Sequence, residues 1–72
     1  MHLSKGEYTQ FSLKGKLNLL NEFGTLLTQK KINETEIKIF HIYDFYVEVF
    51  YVEKLLTKVE PLIFNGLLKY YI

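Results

Sequence analysis

The sequence contains no cysteine and no arginine, and it has a single proline, Pro61. Without cysteine there is no disulfide framework and no thiolate zinc site. Without arginine the chain lacks the side chain best suited to bidentate reading of phosphates and base edges. All nine basic residues are lysines against eight acids, a net charge of +1, so no strong field of either sign steers a nucleic acid. No run approaches the roughly 18 apolar residues of a membrane span. Met1 to Lys5 lead into no apolar core of a secretory signal, so the expectation is a cytoplasmic protein without a membrane partner. The four glycines stand apart from one another and build no phosphate-cradling loop.

What is present is apolar and aromatic. Six Tyr and six Phe make 17% of the 72 residues, and 49% are hydrophobic, too many for a disordered tail. A chain this short buries roughly 60% of its unfolded surface, so a dense aromatic core or self-association must supply stability. One domain spanning 1–72 is expected.

Residues 1–10 read as a loosely tied leader. Ser12 is a good helix N-cap, and Leu13, Leu17 and Leu20 follow at i, i+4, i+7, with Leu19 and Phe23 widening the stripe. Gly24 offers a left-handed C-terminal cap, so residues 12–23 form an amphipathic helix. The period then changes from 3.6 to 2. Strands are expected over 25–31, 35–43, 45–52 and 55–60, separated by turns at Asn33-Glu34, Asp44 and Glu53-Lys54. Pro61 belongs at a strand end or an edge. Residues 66–72 make a short C-terminal helical turn. The fold class is therefore α+β: an N-terminal helix packed on a four-stranded antiparallel meander over 25–60. Leu13, Leu17, Leu20 and Phe23 are expected to pack on Ile37, Ile39, Phe45, Val47 and Val49.

The block Phe45-Tyr46-Val47-Glu48-Val49-Phe50-Tyr51, preceded by a helix and by Gly24-Thr25-Leu26-Leu27-Thr28, resembles a group of short, uncharacterised bacterial proteins of about this length. The resemblance implies a helix-plus-meander domain. It implies no activity, cofactor or catalytic residue.

The aromatics exceed what one sheet face can hold. A helix covers one face, and the other would carry Phe40, Ile42, Tyr46, Phe50 and Val52, whereas a solvated face is mostly polar. An exposed apolar patch marks an interaction site, which points to a protein-interaction module whose partner is a second copy of the chain or another protein. The alternative cover is the segment 67–72 folded back on that face. A second reading treats the rings as base-stacking platforms flanked by Lys30, Lys31, Lys38 and Lys58, for single-stranded nucleic acid. Glu36 and Glu48 on the same strands count against it. An enzyme reading would use His41, Asp44 and Glu48 as acid and base, but no nucleophile or oxyanion device accompanies them. No cofactor and no metal site is expected, since clustered His and carboxylates are missing. Lys30-Lys31 on the first strand would blunt an open sheet edge.

Overall fold

The computed structural model describes residues 3–62. Two helices precede the sheet: α1 over Lys5–Thr9 and α2 over Leu13–Phe23. Four strands follow, β1 over Thr25–Ile32, β2 over Thr35–Ile42, β3 over Phe45–Val52 and β4 over Leu55–Pro61. They form one antiparallel sheet in the order β1-β2-β3-β4. The meander and the N-terminal helix are as the sequence predicts. The expected C-terminal turn, and the cover expected from 67–72, lie outside the described residues.

In place of a loose leader the chain forms α1. Ser4 and Glu7 make a reciprocal capping box, with the Glu7 amide donating to Ser4 Oγ at 3.2 Å and the Ser4 amide to Glu7 Oε1 at 3.0 Å. The box satisfies two amides that a helix start leaves without partners. Tyr8 follows and is fully buried. Its ring meets Phe45 edge-on at 5.5 Å and its hydroxyl donates to the Lys16 carbonyl at 2.8 Å.

The expected stripe of Leu13, Leu17, Leu20 and Phe23 holds in its middle only: Leu13 and Phe23 are exposed, and the buried residues are Leu19 and Leu20, with Leu17 half-buried. The inward side is Lys16, Leu17, Leu19 and Leu20, the middle of the expected stripe without its two ends. Lys16 belongs there because its ammonium donates to the Val59 carbonyl at 3.2 Å, while its apolar stem lies along the core. The Phe23 ring packs on Tyr43 at the sheet's corner, 6.2 Å between centroids. Helix α2 opens with the Gly15 amide bonded to Ser12 Oγ at 3.1 Å. It ends at Gly24 in an extended conformation, φ −89°, rather than in the left-handed cap expected. Glycine is still required there, since a Cβ would stand 2.7 Å from the Leu20 carbonyl oxygen.

The register divides the core in two. β2 and β3 are joined through the two residues Tyr43-Asp44, so paired positions sum to an odd number: Ile42 opposite Phe45, Phe40 opposite Val47, Ile39 opposite Glu48, Ile37 opposite Phe50. Facing pairs share a side of the sheet. The helix side therefore carries Phe40 and Ile42 with Phe45, Val47, Val49 and Val59, packed with Tyr8, Leu19 and Leu20. Ile37 and Ile39, expected beneath the helix, lie on the opposite side with Leu62, Tyr46 and Phe50.

Candidate interaction face

The face opposite the two described helices, helix-free among the described residues, is best read as rows crossing the strands. One row runs Lys30, Ile37, Phe50, Lys58 from β1 to β4. The row beside it runs Thr28, Ile39, Glu48, Glu60. Beyond the first lies Ile32, Thr35, Val52, Leu55, at the end formed by the β1–β2 and β3–β4 turns. Those two turns are tied together by the Glu53 amide donating to the Glu34 carbonyl at 2.9 Å. At the far end His41 packs its ring on Tyr46, centroids 5.0 Å apart, and the Leu62 amide donates to the Tyr46 carbonyl.

Of the five residues expected on this face, Tyr46, Phe50 and Val52 are there. Phe40 and Ile42 are not. The odd-sum register places both beneath the helices, where Ile42 is buried and Phe40 packs against the helix-side cluster. The residues that replace them are Ile37 and Ile39 in the centre and Ile32 and Leu55 at the turn end. Burial grades along the face: Ile39 is 1% exposed, Tyr46 and Phe50 are half-buried, Val52 is 40% exposed and Leu55 70%. The length of the turn was the available signal, because a two-residue connection alone fixes which positions face each other.

Charged residues flank the apolar centre of this face, Lys30 on β1, Glu48 on β3, and Lys58 and Glu60 on β4. Glu48 is buried, and its Oε1 accepts from Lys58 Nζ at 3.0 Å. The same ammonium stands 5.0 Å from the Phe50 ring centroid, a cation–π contact. The lysines of the nucleic-acid reading are split: Lys30 and Lys58 lie on the helix-free face, Lys31 and Lys38 on the helix side opposite Glu36 and Val49. Lys38 stands 5.4 Å from the Tyr51 ring centroid and 3.9 Å from Glu36 Oε1. Around Tyr51 opens a cleft of about 400 Å³ whose ionic lining is three lysines and three glutamates. Opposite charges in equal number give it no net attraction for an anion.

The acid–base set is dispersed as well. Asp44 sits in the β2–β3 turn, His41 is stacked on Tyr46 and Glu48 is engaged by Lys58. Among the described residues no group of three or more His, Asp or Glu is placed to hold a metal ion, and no helix is long and apolar enough to cross a membrane. Compared with family models, with curated proteins and with solved structures, the chain matches none.

Proposed function

We propose that the chain is a small, non-catalytic protein-interaction module of the cytoplasm, and that it self-associates through the helix-free sheet face. One observation carries this reading. The register sets Ile32, Val52 and Leu55, all exposed, in one row with Thr35, and half-buried Phe50 and buried Ile37 lie in the row beside it. Both described helices pack on the other side. A contiguous apolar surface of this kind is stabilised by a partner, and two such faces meeting at a two-fold axis bury each other. Sheets pack face to face about 10 Å apart, a gap that Phe50 and Tyr46 side chains fill.

Sedimentation equilibrium over a wide concentration range tests it. The expected result is a dimer mass that Phe50→Ser abolishes. Leu55→Lys gives a second test that leaves the core untouched, because Leu55 is largely in solvent. A monomer at every concentration, or a dimer indifferent to both changes, defeats the reading.

Single-stranded nucleic acid is the second reading, supported by Lys30 and Lys58 bracketing Phe50 in one row. Lys58 is already held by Glu48, and Glu48 and Glu60 line the next row. An oligonucleotide retained at low salt and released steeply as salt rises would favour it over self-association.

A further inference from the structure

The two edges of the sheet are unequal. On β4 the helices pack alongside, Lys16 donates to the Val59 carbonyl, and Pro61 has no amide to offer. On β1, among the described residues, no helix, lysine bond or proline guards the edge, which a bulge between Leu26 and Thr28 interrupts only near its start: seven of its eight residues are exposed, among them Leu26, Leu27 and Ile32. The strand is long for an edge, and its outward amides and carbonyls form a ready template for another strand. It carries Lys30 and Lys31 and no acid, and among the described residues neither lysine forms an ion pair.

We propose that β1 accepts an extended acidic segment of a partner protein as a fifth, antiparallel strand. The backbone would supply the ladder, and the side chains the choice of partner. Antiparallel addition continues the pattern of the sheet and is the more stable pairing. Lys30 projects to the helix-free side and Lys31 to the helix side, each sharing a side with its β2 partner, Ile37 and Glu36. Two consecutive acids on the incoming strand would therefore meet one lysine on each face, while apolar residues on either side of them would cover Ile32, Leu26 and Leu27. A second copy of β1 is the poorer occupant, because it would bring two more lysines and no acid to the seam. Edge lysines discourage that pairing while leaving an acidic strand welcome.

The test uses the full chain, isotopically labelled, and the end-blocked peptide Val-Glu-Glu-Thr-Thr-Val-Val-Thr, whose acids fall opposite Lys31 and Lys30. Binding is expected to slow hydrogen exchange at β1 amides and to weaken as salt is added. A Lys-Lys version of the peptide should bind at least tenfold more weakly, and the Lys30→Glu, Lys31→Glu double variant should invert that preference. Two further peptides, N-methylated at alternate residues in the two possible phases, probe the ladder itself, and one phase must lose binding. The proposal is overturned if the acidic peptide does not bind at millimolar concentration. It is equally overturned if both methylated peptides bind as well as the parent, or if the perturbed residues are Tyr46 and Phe50 instead of β1. Concentration-dependent protection of β1 in the protein alone would assign the edge to a second copy and also overturn it.

Discussion

The Tyr8 hydroxyl donates to the Lys16 carbonyl across 2.8 Å, tying α1 to the first turns of α2. The same residue closes the core with its ring against Phe45. Two substitutions separate the two roles. Tyr8→Phe keeps the ring and removes one hydrogen bond, a loss of about 1 kcal/mol. Tyr8→Ala also opens a cavity in the helix-side cluster and should cost about 3–5 kcal/mol, a large share of a small domain's stability. Urea unfolding of both variants measures the difference. Equal, small losses would mean that α1 is not part of the cooperative core.

Burial drives the Tyr8 hydroxyl well above its ordinary pKa of 10.0, with the neighbouring Tyr43 adding to the effect. A phenol whose folded pKa is raised keeps its proton when the unfolded chain has lost it. Its contribution is complete below pH 10 and falls as pH rises from there toward the folded value. The wild-type protein should therefore lose stability more steeply above pH 10 than Tyr8→Phe, by up to about 1.4 kcal/mol per pH unit. Parallel stability curves for the two proteins between pH 9 and 11 would contradict a deeply buried, titrating Tyr8.

Glu48 and Lys58 form an asymmetric pair, with the carboxylate buried and the ammonium half in water. Removing the exposed partner takes the positive charge away from a buried carboxylate, whereas neutralising the carboxylate removes the charge that calls for it. Lys58→Met should thus destabilise by about 1–2 kcal/mol, and Glu48→Gln by less than about 1 kcal/mol. The double variant should be no worse than Lys58→Met alone. Chemical denaturation of the three proteins checks the order, and a reversed order would mean that the Lys58 ion pair is not what makes the buried Glu48 charge tolerable.

Much of the fold is legible in the residues. The alternation through Phe45–Val52, the Ser12 cap and the turns at 33–34 and 53–54 fall where the sequence places them. Three features escape the sequence pattern, each for a physical reason. The ends of the helix stripe, Leu13 and Phe23, stay exposed while Lys16 turns inward; only the Val59 carbonyl, supplied by a strand 43 residues away, makes a lysine acceptable there. The faces of β2 read the wrong way round relative to β3 because the pattern reverses along the strand: one side carries Glu36 and Lys38 but also Phe40 and Ile42, the other Ile37 and Ile39 but also His41, so alternation alone does not fix the parity. The connection through Tyr43-Asp44 does fix it. The α1 capping box was written in Ser4 and Glu7, but a five-residue helix is too short for periodicity to reveal.

The β3–β4 turn is chemically mismatched to its conformation. Glu53 and Lys54 both have positive φ, 51° and 69°, as a two-residue hairpin with right-handed strand twist demands. Side chains with a Cβ pay roughly 1 kcal/mol each to adopt that region, whereas Asn and Gly enter it readily. Neither residue forms an ion pair among the described residues, so little is lost by replacing them. The Glu53 amide bond to the Glu34 carbonyl survives any side-chain change at that position. Glu53→Asn combined with Lys54→Gly should raise stability by about 1 kcal/mol, which for a domain of this size is an increase of roughly 4–8 °C in Tm. Calorimetry of the double variant measures it. A lower Tm would show that these side chains hold the turn end of the sheet in ways their backbone angles do not reveal, and would direct attention to the lysine- and glutamate-lined cleft beside Tyr51.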